Sequence, residues 1–256
     1  MKGRQIVIGQ VFGRDAAALM QDGRLEDLIV DPSGVMPFAP GAICRAKVDR
    51  LIKGQGGVFL RLPDGAQGFL RDRGGLREGQ PLIVQITGSA EDGKAIPVSA
   101  RLNFRGRHVI VTPSAPGVNV SRRIRDPETR AALTEIGEAA IADLPEPPGI
   151  VFRSITAQAD LDEVAAELRE LLDLAAAIQS DNQGAPELLL DAPDPAEAAW
   201  QDWAEPAPDD IQDGPDAFAA TGAHDAVEAL LDTRIDLSGG AWAEIEPLRA
   251  IVAIDV

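Results

Sequence analysis

The segment GVFLRLPDGAQGFL (57–70), with LREGQPLIVQITGSAEDGKAIPVSARL (76–102) shortly after it, has the clearest structural pattern in the chain. Short apolar runs alternate with breaks rich in Gly, Pro and Asp, such as Pro63-Asp64-Gly65. Together with AICRAKVDRLIK before it, this pattern predicts a series of short strands, at 42–53, 57–62, 67–70, 81–86 and 95–102. Strands at this spacing are typical of a small β-barrel.

The rest of the chain mixes strands with amphipathic helices, so we predict an α+β protein. Residues 4–12 and 25–30 are predicted strands on either side of a polar connection. The strongest helix signal is at 160–179, where apolar residues recur at helical spacing. Further helices are expected at 127–142, 193–204 and 223–232, and further strands at 107–112, 149–155, 187–191, 233–237, 241–246 and 249–255.

Composition limits the class of protein. The chain has 256 residues, 45% of them hydrophobic, which suits one large domain or roughly two to three small ones. No apolar run approaches the roughly 20 residues of a membrane helix, and the first residues do not resemble a signal peptide. The single cysteine, Cys44, excludes an internal disulfide and a Cys-rich zinc site, and is expected to be a small buried residue. We therefore expect a cytoplasmic protein with neither a membrane partner nor a disulfide partner.

The formal net charge of −17 argues against a polyanionic partner only when the chain is taken as a whole. Residues 1–130 contain 20 of the 24 Lys and Arg but 13 of the 41 Asp and Glu, which is a balance of +7. The remaining residues contain 4 and 28, a balance of −24. Such a division predicts a half that faces nucleic acid and an acidic half. Within the acidic half, the Pro- and Asp-rich stretch 191–216 is expected to form mainly solvated loops.

Two aromatic residues in the predicted barrel are candidates for nucleic-acid binding. Phe59 and Phe69 lie on adjacent predicted strands, and nearby basic residues are Lys53, Arg61, Arg71 and Arg73. An exposed aromatic ring on a basic sheet can stack on an unpaired base. The alternative is that both rings belong to the core. Alternation favours binding, because Val58, Leu60 and Leu62 already supply an apolar face on the strand that carries Phe59.

These residues belong to a wider resemblance. Residues 41–105 resemble the S1-type OB-fold domain of the ribonuclease E/G family of endoribonucleases. RLEDLIVD (24–31) resembles the opening segment of that family, and SRRI (121–124) and VFRS (151–154) resemble its 5′-sensor region. RIDLSGGAWAEIEPLRAIVAID (234–255) resembles the entry to its catalytic core. The segments occur in the order of the family, which makes the resemblance specific.

The resemblance implies roles for individual residues toward single-stranded RNA. Phe59, Phe69 and Lys94 match positions that hold the RNA on the S1 surface. Arg122 and Arg123 are expected to contact the RNA backbone. Arg153 and Ser154 match the Arg-Thr pair that holds a 5′-monophosphate in the family. Since Ser retains the hydroxyl donor and a guanidinium can bind two phosphate oxygens, this chemistry is retained.

The resemblance also implies a metal-dependent reaction. Asp255 matches the first of two aspartates that hold the catalytic Mg²⁺, and it is expected to end a buried strand. The second aspartate, the Asn after it and the zinc-linking Cys motif follow later in the family and are not in these 256 residues. The implied Mg²⁺ site is therefore incomplete, and an oligomer is possible only without that zinc link. Strand 249–255 is expected to expose an apolar edge.

The fold implied is an S1-type OB-fold barrel inserted in an RNase-H-like segment, with a small α/β sensor region and an incomplete α/β catalytic core after it. The expected regions are, in order, 1–36 (RNase-H-like), 37–101 (S1), 102–179 (sensor), 180–232 (abbreviated acidic RNase-H-like or linker) and 233–256 (catalytic core). Two functions remain open. One is endoribonucleolytic processing or decay of single-stranded RNA with 5′-monophosphate sensing. The other is non-catalytic RNA binding by a fragment or relic of such an enzyme.

The other residues with reactive or aromatic side chains are expected to have no part in catalysis or binding. His108 in a strand and His224 at a helix start have no recognisable Ser or Cys partner, so both are expected to be structural or exposed. Trp200 and Trp203 lie three residues apart on a predicted helix, which favours packing over stacking on a base.

Overall fold

The computed structural model describes residues 3–52, 56–71, 74–90, 93–249 and 251–256. Their strands are, in chain order, β1 (Arg4–Val11), β2 (Arg14–Gln21), β3 (Arg24–Val30), β4 (Ile43–Leu51), β5 (Val58–Arg61), β6 (Gln67–Leu70), β7 (Pro81–Ile86), β8 (Ile96–Ser99), β9 (Phe104–Arg105), β10 (Val109–Thr112), β11 (Gly117–Val120), β12 (Gly149–Phe152), β13 (Glu187–Leu190), β14 (Asp210–Asp213), β15 (Arg234–Asp236), β16 (Trp242–Pro247) and β17 (Val252–Asp255). Their helices are α1 (Pro127–Ile141), α2 (Leu161–Ser180), α3 (Pro195–Trp203), α4 (Ala217–Thr221) and α5 (Ala223–Ala229). The chain is therefore α+β, as predicted.

The chain divides into two compact units, one discontinuous in sequence. One unit is Met1–Val30 with Pro206–Val256, and the other is Asp31–Glu205. No helix among the described residues is both long enough and apolar enough to cross a membrane.

The Asp31–Glu205 unit contains a closed five-stranded barrel, which confirms the predicted series of strands. The strand order is β4-β5-β6-β8-β7, and β7 pairs back with β4 to close it. Strand β4 reaches both neighbours because Ile43–Lys47 pairs with β7 while Lys47–Leu51 pairs with β5. The interior is apolar, and its buried residues are Phe38, Ala42, Cys44, Ala46, Val48, Val58, Leu60, Leu62, Leu70, Val84, Ile86, Ile96 and Val98.

Cys44 lies in this interior, as the sequence predicted. Burial, with a smaller contribution from the charge of Asp191, raises the pKa of its thiol to about 11. Since the thiolate is the reactive form, Cys44 is a packing residue and not a nucleophile at neutral pH.

A buried arginine ties the barrel to the rest of its unit. Strand β13 pairs antiparallel with the first part of β4, where Arg45 lies. The Arg45 guanidinium contacts the carboxylates of Asp181 and Glu187, and its Nε donates to the Ala185 carbonyl at 2.8 Å. Because Asp181 directly follows α2 and Glu187 begins β13, this one side chain joins three elements.

A second sheet, in the order β11-β12-β10-β9, packs against α1 and α2. Both helices begin as predicted, since the carboxylates of Asp126 and Asp160 accept backbone N–H groups of the first turn. The core between sheet and helices is led by Leu133, Phe152 and Leu168, which are almost fully buried. The edge strands β9 and β11 were not predicted.

The other unit contains a sheet in the order β14-β1-β2-β3, and here two expectations were wrong. The segment between the first two predicted strands is not a polar connection. It is the central strand β2, in which Ala16–Met20 is buried. Hairpin turns on either side of it use positive φ at Phe12-Gly13 and Asp22-Gly23.

The acidic stretch 191–216 is not mainly loop either. Besides the predicted helix α3, it contains β14, which pairs parallel with β1. The carboxylate of Asp209 accepts the backbone N–H of Arg4 at 2.7 Å, and Asp210 accepts the Gln5 amide at 2.7 Å. Hydrogen bonds from Gln212 and then Gln5 lower the pKa of Asp210. Polar pairing, and not burial, thus attaches this strand, since all of its side chains are exposed.

The last strands form a separate antiparallel sheet in the order β15-β16-β17. Strand β17 exposes its apolar side chains, since Val252 and Ile254 are 61% and 64% exposed. This agrees with the exposed apolar edge expected of strand 249–255, and it contradicts the burial that the family resemblance implied. Leu248, Ile251 and Val256 are exposed as well, so this end of the chain presents apolar surface.

Candidate nucleic-acid interface

Phe59 and Phe69 form a cross-strand pair on the outside of the barrel. They lie directly opposite each other on β5 and β6, with ring centroids 5.5 Å apart and ring planes at 54°. Val58 and Leu60 on either side of Phe59 are completely buried and Leu70 after Phe69 is buried, while both phenylalanines are half-buried. The apolar interior of the barrel is complete without them, which is the arrangement that strand alternation predicted.

The pair is part of a longer row that crosses the barrel. Arg50 on β4 is in register with Phe59, and its guanidinium lies 4.6 Å from the centre of that ring. On the other side, Phe69 is in register with Pro97 on β8. We call Arg50, Phe59, Phe69 and Pro97 the aromatic row. Since strands in a sheet are about 4.8 Å apart, the row extends about 14 Å.

A cavity of about 770 Å³ adjoins this row beside Phe69. Its lining includes Arg71, Thr87, Pro97, Ser99 and Arg101. It therefore places two guanidinium groups beside the Phe69 ring, while the hydroxyls of Thr87 and Ser99 donate to the carbonyls of Pro97 and Arg101. Guanidinium groups suit a ligand that carries phosphates.

Gly57 controls where the Phe69 ring can lie. A Cβ atom at this glycine would be 2.5 Å from the ring, closer than carbon atoms approach. The absence of a side chain thus lets the ring rest over the start of β5.

The other basic residues that were predicted near the pair differ in their exposure and in their partners. Arg61 is exposed and forms a 3.0 Å ion pair with Asp49, so its charge is partly balanced. Lys94 is exposed two residues before β8. Lys53 and Arg73 lie outside the described residues.

The predicted phosphate-binding pair lies immediately after β12, and both side chains have protein partners. The Arg153 guanidinium donates to the carbonyls of Gly106 at 3.0 Å, Arg107 at 3.2 Å and Gln201. Burial, and then repulsion from Arg105, lowers the pKa of Arg153. The Ser154 hydroxyl donates to the Glu205 carboxylate. A phosphate at this position would have to replace these acceptors.

A half-buried carboxylate supports the start of β10, next to the residue that holds the backbone of Arg153. Glu167 on α2 accepts the backbone N–H groups of His108 at 2.8 Å and Val109 at 3.0 Å, and its other oxygen lies 2.8 Å from Nδ1 of His108. The His108 carbonyl in turn accepts the backbone N–H of Arg153 at 2.8 Å. His108 is therefore a structural residue, as expected.

Arg122 and Arg123 lie in the turn between β11 and α1, and both are exposed. The Nη1 of Arg123 is 3.8 Å from Oε1 of Glu205, so this arginine faces the carboxylate that Ser154 contacts. The turn and the end of β12 thus meet at Glu205.

Asp255 is exposed at the end of β17, and its Oδ1 accepts the Val256 N–H at 3.0 Å. Its cross-strand partner is Glu244. Among the described residues, three or more groups that could share a metal ion occur together only at His224, Asp225 and Glu228, which do not include Asp255. That group is largely exposed, and the His224 ring packs edge-on against Phe12. Asp255 and Glu244 are therefore the carboxylates that this strand pair brings together, and Mg²⁺ is commonly held by one or two carboxylates with water as the remaining ligands.

Several residues of this surface were not singled out from the sequence. Arg50, Pro97 and Arg105 acquire their positions from strand pairing, whereas Arg101 and Arg107 lie in the connections that follow β8 and β9. The sequence does show an excess of basic residues in the first half of the chain. That excess does not indicate which of these residues lie next to one another in the fold.

Comparisons with known proteins agree on one family. A sequence model described as "Ribonuclease E/G family" matches residues 103–213. Ribonuclease E of Synechocystis sp. is 26% identical over an alignment of 178 positions that covers 63% of this chain and 25% of that protein. A ribonuclease E/G-like protein of Pyropia yezoensis is 24% identical over an alignment of 171 positions that covers 60% of this chain and 32% of that protein. The matched part of the chain thus spans about a quarter to a third of these relatives.

Proposed function

Because the chain belongs to the ribonuclease E/G family, we propose that it binds single-stranded RNA on the aromatic row of its barrel. The observation that carries this proposal is the outward Phe59–Phe69 pair with Arg50 against it. In this proposal the barrel is an S1-type OB-fold, and the regions of the chain have the boundaries expected from the sequence.

The physical basis is stacking combined with charge. Each base stacked on an aromatic side chain contributes about 1–3 kcal/mol, and the row is long enough for about two nucleotides. Residues 41–107 contain 12 Lys and Arg against 6 Asp and Glu, so phosphates approach a surface of net positive charge. Arg71 and Arg101 in the adjoining cavity are placed to contact the phosphates of neighbouring nucleotides.

The wider activity follows from the family. Family membership suggests a ribonuclease, and we propose endoribonucleolytic processing or decay of single-stranded RNA, with the 5′-monophosphate sensed by Arg153 and Ser154. Members of the family are generally metal-dependent. In this proposal Asp255 would be one carboxylate ligand of the metal. The second candidate function is non-catalytic RNA binding on the same surface, and the outward Phe59–Phe69 pair supports both candidates.

The proposal predicts a preference for unpaired RNA. A labelled single-stranded oligoribonucleotide is expected to bind at least about 10-fold more tightly than a duplex of the same length, because only unpaired bases can stack on the row. Fluorescence anisotropy at fixed salt measures both dissociation constants. Equal affinity for the duplex would show that charge alone accounts for binding, and would contradict the proposal.

The sensing role has its own test. Arg153→Ala is expected to abolish any preference for 5′-monophosphate over 5′-hydroxyl RNA, since it removes the guanidinium that would bind two phosphate oxygens. Competition binding with the two oligonucleotides measures that preference. Arg169→Ala is the control, because it removes one exposed arginine from α2. A preference that survives in folded Arg153→Ala protein would remove Arg153 from this role.

A further inference from the structure

Four arginines of the Asp31–Glu205 unit are contacted by one short acidic segment. The segment is 200–205 (WQDWAE), at the end of α3 and just beyond it. Its contacts are Asp202 with Arg105, the Trp200 ring 5.5 Å from the guanidinium of Arg107, Glu205 with Arg123 at 3.8 Å, and the Gln201 carbonyl with Arg153. We call these four arginines the covered arginines.

The segment is held in place by apolar packing and a capped helix, independently of its charges. Asp194 and Glu197 form a reciprocal capping box at the start of α3. Ala199 is completely buried and Trp203 is 4% exposed. The carboxylates lie at the surface instead, since the side chains of Asp202 and Glu205 are 42% and 33% exposed. The two carboxylates can therefore leave Arg105 and Arg123 while the helix stays docked, and the docked helix keeps Trp200 and the Gln201 carbonyl against Arg107 and Arg153.

We propose that Arg105 and Arg123, two of the covered arginines, bind RNA phosphates beside Arg153, and that Asp202 and Glu205 act as built-in competitors for these two arginines. This inference rests on the proposed function. A carboxylate and a phosphate engage a guanidinium through the same pair of N–H donors, so they exclude each other on one arginine. Glu205 also accepts the hydroxyl of Ser154 and so occupies another donor that a phosphate would use.

The strength of these pairs suits reversible exchange. Exposed ion pairs are weak and screened by salt, so an RNA phosphate can replace them at modest cost. Asp202 and Glu205 thereby raise the RNA concentration that is needed for binding. An RNA strand that is already bound on the barrel and reaches Arg105 and Arg123 gains affinity from them, whereas a free anion at low concentration does not.

The test replaces the two competing carboxylates by amides, which removes their charges and keeps the shape of the side chains. Asp202→Asn with Glu205→Gln is expected to bind a single-stranded 15-mer RNA about 3- to 10-fold more tightly than wild type at 0.1 M salt, in line with the loss of two weak exposed pairs. The matched control is Glu170→Gln with Asp173→Asn. It makes the same charge change at exposed positions of α2 and is expected to bind less tightly than the test variant.

A second experiment tests whether the gain in RNA affinity depends on the two arginines. Adding Arg105→Gln and Arg123→Gln to the Asp202→Asn/Glu205→Gln protein is expected to erase the gain. Thermal unfolding monitors the fold of every variant, and Glu205→Gln alone replaces the double variant if that one is unstable.

The outcomes separate this inference from the proposed function. If wild type binds RNA but the test variant gains no more than the control, the inference fails and RNA binding stands. A gain that persists without Arg105 and Arg123 also overturns it. If no variant binds RNA, both the inference and the proposed function fail.

Discussion

Replacing Phe59 and Phe69 together by Ala is expected to weaken binding of single-stranded RNA by about 10- to 100-fold or more. The two rings are the central pair of the aromatic row and supply its stacking surface. The barrel interior does not use them, so the loss appears in affinity and not in the fold. Anisotropy titrations of wild type and variant at one salt concentration measure the effect.

Two controls distinguish stacking from other consequences of that change. Phe59→Leu with Phe69→Leu keeps apolar bulk on the strands but removes the aromatic faces, and is expected to lose most of the same affinity. Phe12→Asn removes an exposed ring at a turn with positive φ, a conformation that Asn tolerates, and is expected to leave RNA binding unchanged. An unchanged dissociation constant for the double Ala variant would contradict the stacking role.

The position of this pair could be predicted because strand alternation is a local property. In β5 the residues on either side of Phe59 are apolar and buried, so the ring must point away from the interior. Which residues flank the ring is set by pairing across strands. Arg50 and Pro97 are 9 and 38 residues from Phe59 in the chain, and nothing in the sequence aligns them in one row.

Strand β2 was missed because its residues carry no strand signal. Ala16, Ala17 and Ala18 have low strand propensity, and burial along most of the strand removes the alternation of apolar and polar positions. The tight turns at Phe12-Gly13 and Asp22-Gly23 were the better indication, since such turns join antiparallel strands.

The acidic half shows a different limit. Its charges predicted solvated loops, but the sequence around a carboxylate does not indicate which residue that carboxylate will pair with. Asp202 and Glu205 meet arginines that lie 97 and 82 residues earlier, and Asp209 binds the backbone near the start of the chain. For strand 249–255 the family resemblance implied burial while the apolar run predicted an exposed apolar edge, and the exposed side chains of β17 agree with the second expectation.

The largest effect on stability is expected from Gly149→Ala. Gly149 begins β12, the strand that leads directly to Arg153, and pairs with Thr112 of β10 and Gly117 of β11. The turn after β10 folds over it, so that a Cβ atom would lie 1.8 Å from the Ala115 carbonyl oxygen and 2.5 Å from the Thr112 hydroxyl. The nearest obstacle is backbone, which cannot rotate away as a side chain could. We expect the free energy of unfolding to fall by about 3 kcal/mol or more, the upper range for overpacking.

Urea unfolding followed by circular dichroism measures this change, with Gly88→Ala as the matched control. At Gly88 a new Cβ would meet only the Pro97 ring, at an ordinary contact distance of 3.4 Å, so its effect is expected to stay within about 1 kcal/mol. Because β12 positions Arg153, any folded Gly149→Ala protein is also expected to lose discrimination at the 5′ end before it loses binding on the barrel. A midpoint close to that of wild type would mean that the turn over Gly149 can move aside, and would contradict the close packing on which the position of Arg153 depends.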